Sequence, residues 1–239
     1  MNFRVPTTYR TTSTEIMDDF SLEGEELREA LDKIASINQL LGGNKVTLDV
    51  VKQLLGAISL NETITIVDIG CGNGDMLRTL AQYVKKLGLV VELIGIDANR
   101  FTVNHAQQLS AAYENISFRC EDIFDTSFKE VKADLFLCTL TLHHFKNEEI
   151  EYLLPLFYRN SRLGIVINDL QRSGLAYRLF QLLCLVFRLN TMSREDGLTS
   201  ILRGFTKEEL ICFSSQMNFN KCSIRWRWAF RYQWIISKL

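Results

Sequence analysis

The chain has 239 residues, 47% hydrophobic and 23% charged, with a formal net charge of −1. This length suits one domain with additions, long enough to bury about three quarters of its unfolded surface, and the near-neutral balance excludes a nucleic-acid partner held by a polycationic face. Cys71, Cys120, Cys138, Cys184, Cys212 and Cys222 form no C-x-x-C pair, and the threonine-rich stretch Met1 to Thr14 lacks the apolar core of a signal peptide, so a cytoplasmic protein with reduced thiols is expected.

Residues 1–20 read as an arm that is partly mobile or orders on binding, because Pro6 and the threonines around it disfavour helix. From Ser21, taken as an N-cap, the pattern turns helical: Glu23, Glu25 and Glu26 stand early, and Leu27, Leu31, Ile34, Ile37, Leu40 and Leu41 form an apolar stripe. Gly42-Gly43 ends this helix. Thr47 is read as the cap of a second one, with Val50, Val51, Leu54 and Leu55 inward. Residues 1–60 are therefore expected to be an arm and a helical lid, and residues 61–239 the main domain.

Ile64 to Ile69 is a β-branched run that breaks into Gly70-Cys71-Gly72-Asn73-Gly74-Asp75, after which Met76 to Leu87 has helical apolar spacing. Strand, glycine turn and helix open a nucleotide-binding βαβ unit in which the backbone must approach a ligand closely. The sixth position of the dinucleotide fingerprint is Asp75 rather than glycine, and no Gly-Lys-Ser/Thr is present, so neither a dinucleotide nor a P-loop phosphate is indicated. What stands instead is Asp68-x-Gly70-x-Gly72-x-Gly74.

Leu89 to Ile96 is a second buried strand ending in Asp97, 29 residues after Asp68, where a carboxylate can accept hydrogen bonds from ribose hydroxyls. Asn99 caps the helix 100–113, followed by the strand Ile116 to Cys120 and the turn Glu121-Asp122-Ile123-Phe124. A fourth strand, Lys132 to Thr139, leads through Leu140-Thr141-Leu142 to His143-His144-Phe145, which places two of the three histidines beyond a strand end that faces the ligand crevice. The helix 147–158 and the strand Gly164 to Asn168 follow, and this β/α alternation specifies a doubly wound parallel sheet.

An insertion of about 172–204 comes next. Gly174 to Leu189 is a helix apolar on nearly every side, too short to span a membrane, which the sheet with a greasy substrate, a second copy of the chain, or a membrane surface would have to cover. Asn190 to Gly204 reads as a polar loop, Thr206 caps a helix over 208–216, and Asn220 to Trp228 with Ala229 to Ser237 reads as a hairpin or a bulged continuation.

The first motif with Asp97 resembles that of class I S-adenosylmethionine (SAM)-dependent methyltransferases, over about Ile64 to Asp169. The resemblance implies a Rossmann-like seven-stranded sheet closed by an antiparallel hairpin, with SAM as cofactor. It implies a cofactor site of Asp68, Gly70, Cys71, Gly72, Gly74, Asp97, Ala98, Asp122, Ile123, Thr139 and Leu140. Glu121 competes with Asp122 for the adenine amino group. Leu142-His143-His144-Phe145 is similar to small-molecule methyltransferases of the quinone-biosynthesis type. Glu15-Ile-Met-Asp18-Asp19, Ile37-Asn38-Gln-Leu-Leu-Gly42-Gly43 and Asn168-Asp169-Leu170-Gln-Arg172 resemble bacterial methyltransferases that accompany type III polyketide synthases. The Asn/Asp-Pro-Pro-aromatic motif of base-amino methyltransferases is absent, the prolines being Pro6 and Pro155.

Methyl transfer is an in-line displacement that alignment and desolvation promote, and a hydroxyl acceptor needs a base. His144 is the favoured base with His143 the alternative; Asp169, Arg172 and Tyr177 are expected to meet the acceptor, with Arg172 orienting an anion. No metal site is expected. The reading is a methyltransferase of a small apolar or aromatic acceptor, with a phenolic or quinone-type hydroxyl favoured. The alternative is a SAM-binding, catalytically degenerate partner module. The apolar helix 174–189 is a possible homodimer contact.

Overall fold

The structure, a computed structural model, describes residues 5–57, 63–219 and 221–239. The start of the expected arm (residues 1–4), the expected boundary at 60/61 and Asn220, the first residue of an expected strand, lie outside the described residues.

After a 3₁₀ turn at Ile16–Asp18, the chain runs α1 (Glu25–Leu40), α2 (Gly43–Gly56), β1 (Ile64–Ile69), α3 (Asp75–Leu87), β2 (Val91–Asp97), α4 (Arg100–Leu109), β3 (Ile116–Cys120), β4 (Ala133–Thr139), α5 (Asn147–Asn160), β5 (Ser161–Leu170), α6 (Gly174–Phe187), α7 (Thr191–Arg203), α8 (Lys207–Gln216), β6 (Cys222–Arg227) and β7 (Arg231–Ser237). The seven strands form one sheet in the order β3-β2-β1-β4-β5-β7-β6. β1 pairs in parallel with β2 (Ile66 opposite Leu93) and with β4 (Ile66 opposite Leu135), whereas β7 runs antiparallel to both β5 and β6.

Both faces of the central strands are covered, which is why their sequences are continuously apolar. Ile64 and Ile66 pack with Val51, Leu77 and Leu80 on one face. Val67 and Ile69 pack with Phe136, Leu153 and Phe157 on the other. The carboxyl ends of β1, β2, β4 and β5 share one edge, and the order of strands reverses between β1 and β4. That edge is the crevice in which open α/β sheets bind ligands.

Several sequence expectations are corrected. Ser21 does not cap α1; Gly24 stands there, while the Ser21 hydroxyl donates to Asp19. Thr47 lies inside α2, which begins four residues earlier behind Gly42, and its buried hydroxyl meets Thr139 at 3.1 Å. Gly42-Gly43 thus starts a helix as well as ending one. Residues 190–204 are not a loop: Asn190 caps α7 through Ser193 N–H. The inward side of α7 is mostly polar, with Ser193, Asp196, Ser200 and Arg203 buried beside Met192 and Ile201, so the usual apolar period is weak. Gly197 belongs there because a Cβ would come within 2.3 Å of the Phe180 ring from α6. The closing strands form a hairpin, with Ala229 and Phe230 at positive φ in its turn. α6 buries Ala176 and Cys184 and leaves Leu175, Leu182, Leu185 and Val186 exposed.

Gly164 shows how tightly β5 and β7 approach: its φ is +132° and a Cβ would sit 2.0 Å from the Ile236 carbonyl oxygen. Gly164→Ala is expected to cost about 2–3 kcal/mol, lowering Tm by roughly 4–12 °C in a heat-denaturation scan.

Candidate active site

The glycine turn after β1 is shaped by its neighbours. Gly70 has φ +64°, and a Cβ on it would lie 2.4 Å from the Thr141 methyl, whose hydroxyl donates to the Gly70 carbonyl at 3.3 Å. Gly72 has φ +52° and open space above it, with no atom nearer than 3.9 Å to a built Cβ. Its N–H donates to Asp97 at 3.1 Å, and the second oxygen of Asp97 accepts from Asn99 N–H at 3.0 Å, so the ends of β1 and β2 are tied together. The turn therefore offers backbone to a ligand with a carboxylate on either side of it.

Asp68 is buried at the end of β1, and its Oδ1 has no hydrogen-bond partner. Burial, with Asp97 and Asp75 nearby, pushes its pKa up to about 8; burial also raises Asp97 to about 6 against the hydrogen bonds from Asn99 and Gly72. An orphaned carboxylate beside an open glycine turn fits the amino group and sulfonium of SAM, both cationic, and Asp97 retains lone pairs for ribose hydroxyls.

These residues line a cavity of about 940 Å³ together with Cys71, Ala98, Asp122, Ile123, Thr139 and Leu140. Asp122 turns one oxygen to Phe124 N–H, and its competitor Glu121 accepts from Ser127. Leu140 adopts φ +56° with its N–H bonded to the Asn168 carbonyl, a sparsely populated conformation held at the cavity wall. Gly74, expected in the cofactor site, is behind the wall instead, at the start of α3 against the Phe118 ring. α1 and α2 close over the turn: Asn44 and Gln39 donate to Asp75, and Leu27, Leu31 and Ile37 line the cavity.

The opposite wall is polar. His143 and His144 form a 3₁₀ turn after β4, their rings 4.3 Å apart. His143 Nδ1 meets Asp169 Oδ1 at 2.7 Å, and its backbone N–H donates to Asp169 Oδ2 at 3.1 Å. His144 Nδ1 meets Asp18 at 2.7 Å. The Nε2 atoms then face one carboxylate, Glu15, at 3.7 Å from His143 and 3.9 Å from His144. His143 Nε2 and Glu15 Oε1 are buried without a hydrogen-bond partner, and Arg203 Nη1 stands 3.7 Å from the same Glu15 oxygen. Glu15, His143 and His144 thus converge, each offering an atom within 4.8 Å of the others, although no metal spacing was visible in the sequence. Burial raises Glu15 to about 7, opposed by His144 and by the Ser200 hydroxyl. Asp18 and Asp169 resist burial and stay below the ordinary carboxylate range because His144 and Arg203 hold the first and His143 holds the second.

Glu15 and Asp18 come from the arm, which sequence reading left without a role in the site although it quoted both for their likeness to other methyltransferases. The arm is strapped to α7: Asp196 accepts from Ile16 N–H at 2.6 Å and Met17 N–H at 2.9 Å. Arg203 bonds Asp18 at 2.5 Å and the His144 carbonyl, while Arg10 reaches the carbonyls of His143 and Phe145 at 2.9 Å.

Three expected acceptor contacts are corrected. Arg172 is buried and spent on Glu209 at 2.6 Å and on the carbonyls of Thr7 and Gly204, away from the cavity. Its neighbour Gln171 lines the wall instead. Asp169 acts on His143 from behind rather than lining the space. Tyr177 is half-buried off the cavity, which α6 meets through Ala176, Leu179, Phe180 and Leu183.

Raised pKa values at Asp68 and Asp97 have a consequence for stability. A carboxyl whose folded pKa is raised contributes fully below about pH 4, and that stability is lost as pH climbs through the folded values, here about 6 and 8. Ligand-free protein should melt at a higher temperature at pH 5 than at pH 8, apart from its other groups. Asp68→Asn should raise Tm at pH 8 and reduce the difference; an unchanged or lowered Tm at pH 8 contradicts the assignment.

Comparison with known proteins agrees with this geometry. A family described as "Methyltransferase domain" matches residues 66–164. The chain is 29% identical over 109 residues to a carboxy-S-adenosyl-L-methionine synthase of Helicobacter pylori, covering 46% of this chain and 44% of that protein. It is 35% identical over 131 residues to the protein-lysine N-methyltransferase EFM4 of Saccharomyces cerevisiae, covering 54% and 56%. The matches thus span about half the length of these curated relatives. Among solved structures, a SAM-dependent methyltransferase from Aquifex aeolicus aligns with a TM-score of 0.61 at 15% identity, over 91% of this chain and all of that one. The plantazolicin methyltransferase BamL aligns with a TM-score of 0.64 at 16% identity, over 87% and 90%. Residues 66–164 therefore match a methyltransferase domain, and the fold is the one these SAM-dependent methyltransferase structures share.

Proposed function

We propose that the chain is a SAM-dependent methyltransferase acting on a small apolar or aromatic acceptor, with a phenolic or quinone-type hydroxyl as the favoured methylated group. The observation that carries this reading is the meeting of two unlike walls in one cavity. The Asp68–Gly72 turn with Asp97 suits the cofactor, and the Glu15–His143–His144 cluster stands across from it. The apolar residues of α1 and α6 make up much of the remainder.

SAM, when bound, supplies a methyl group on a cationic sulfur that becomes a neutral thioether after transfer. Asp68 would meet the amino group and Asp97 the ribose. Asp122 and Ile123 would border the adenine, with Ala98, Cys71, Thr139 and Leu140 completing the wall. His144 is assigned as the base. With Nδ1–H given to Asp18, its Nε2 carries the lone pair, and this ring is the more exposed of the two. His143 and Glu15 hold that wall polar and in register. α1, α2 and the arm act as the lid, excluding water so that the loss of charge on sulfur is favoured. The outer face of α6, with Leu175, Leu182, Leu185 and Val186 exposed, is assigned to contact between two copies of the chain.

Turnover of labelled SAM with phenols, quinones and fatty acids tests the activity. His144→Ala is expected to lower kcat by about 10²–10⁴ while SAM binds within twofold of wild type; full rates in both His143→Ala and His144→Ala would remove the base. Calorimetry should show Asp97→Ala binding SAM at least tenfold more weakly. Wild-type affinity should decline as pH falls through about 6, where Asp97 takes up a proton. Sedimentation should give a dimer that Leu182→Glu converts to monomer, and a wild-type monomer discards the α6 contact.

A further inference from the structure

Arg172, the arginine expected to orient an anion, is fully engaged elsewhere, whereas the cavity wall contains a different arginine with two guanidinium nitrogens left without a partner. Arg231 opens β7, opposite Leu170 of β5 and Arg227 of β6. It is 3% exposed, it lines the cavity, and both its Nε and its Nη1 are buried without a hydrogen-bond partner. Buried arginines are ordinarily paired, because an ion taken out of water without compensation is costly. The carboxylate whose field reaches it, Asp169, gives its oxygens to His143 and to the Leu170 N–H. Burial lowers the Arg231 pKa to about 10, so the group is still a cation at neutral pH.

One neighbouring element carries the same sign. A Cβ on Gly43 would lie 3.0 Å from the Arg231 guanidinium carbon, so the side chain rests on the first residue of α2. α2 is 14 residues long, and its N-cap, Gly42, supplies no side-chain acceptor to the first-turn N–H groups. A helix N-terminus with unfilled donors and a guanidinium over it both attract negative charge. Asn38 and Asn44 stand beside them on the cavity wall with their amide N–H groups engaged, Asn38 on Asn44 Oδ1 and Asn44 on Asp75 and Thr79, while Asn38 Oδ1 is buried without a hydrogen-bond partner.

We propose that Arg231 and the first turn of α2 form a binding site for an anionic oxygen group, a carboxylate or an enolate, on a molecule held in the cavity. Two molecules can present that group: the amino-acid tail of the cofactor, or an acidic acceptor with an apolar body. Guanidinium geometry suits a two-oxygen anion, which Arg231 would meet through Nε and an Nη atom. The site needs only the cavity; its division between cofactor and acceptor rests on the methyltransferase reading.

Calorimetry on the full chain separates these cases, using S-adenosylhomocysteine as the cofactor probe and dodecanoate against dodecanol as the acidic and neutral apolar probes. Arg231→Met is expected to weaken S-adenosylhomocysteine or dodecanoate at least tenfold, with dodecanol unchanged and Arg231→Lys retaining part of the affinity. Loss of the first probe assigns the site to the cofactor tail; loss of the second with the first unchanged assigns it to the acceptor. A folded Arg231→Met protein that binds both as wild type does overturns the proposal. If that variant does not fold, wild-type protein decides. A tenfold preference for S-adenosylhomocysteine over its decarboxylated analogue, or for dodecanoate over dodecanol, supports the site, and the lack of both overturns it. A wild-type chain that does not bind S-adenosylhomocysteine at all defeats the methyltransferase reading instead, and the dodecanoate comparison still decides Arg231.

Discussion

Much of the candidate site depends on one buried carboxylate. Asp169, at the end of β5, accepts from the His143 imidazole, the His143 backbone N–H and its own neighbour's N–H. Charge-assisted bonds of this kind, out of water, contribute about 2 kcal/mol each. They also have a geometric effect. The 3₁₀ turn after β4 is locked to β5, so the rings of His143 and His144 must stand over the carboxyl edge of the sheet. Without that lock, a short polar turn at a strand end would have little reason to hold one conformation.

A second layer of charge then closes over the first. Arg10 and Arg203 satisfy the carbonyls of the same turn, and Arg203 with His144 fixes Asp18. Asp18 and Glu15 bracket a 3₁₀ turn whose N–H groups are held by Asp196 from α7. The arm is therefore part of the site wall. α7 explains itself in the same terms: beside Met192 and Ile201 it buries Asp196, Ser200 and Arg203, because these meet backbone N–H groups, carbonyls and carboxylates. An arginine in such a place serves several carbonyls at once, which lysine's point charge does not.

The cofactor wall is built on the opposite principle. Asp68, Asp97 and Asp75 crowd carboxylates around an open glycine turn, and burial raises the first two. A fold selected for stability alone would not leave Asp68 Oδ1 without a donor. Strain and unsatisfied groups of this kind concentrate where a ligand completes the structure. Leu140, at positive φ between β4 and the histidine turn, sits in the same zone, as do the unpartnered Nε and Nη1 of Arg231.

The sequence by itself determined the order of β and α elements apart from α7, the glycine turn and Asp97, because strand runs, helical periods and a turn needing positive φ are encoded within about ten residues of one another. It also placed His143 and His144 at the crevice, since a residue just after a parallel strand has one edge to occupy. Tertiary structure alone decided who stands beside them. Glu15 lies 128 residues from His143, and Asp196 lies 180 from the Ile16 N–H that it holds. No local period records such pairings. The same limit explains the exchange of roles between two arginines. Arg172 follows a strand as a site residue should, yet Glu209 and three carbonyls claim it. Arg231 begins a hairpin strand that the sequence showed without singling out this residue, and the fold turns it to the cavity wall with Nε and Nη1 unpaired. Charge at a given sequence position states what a side chain can do; only packing settles which partner is within 3 Å.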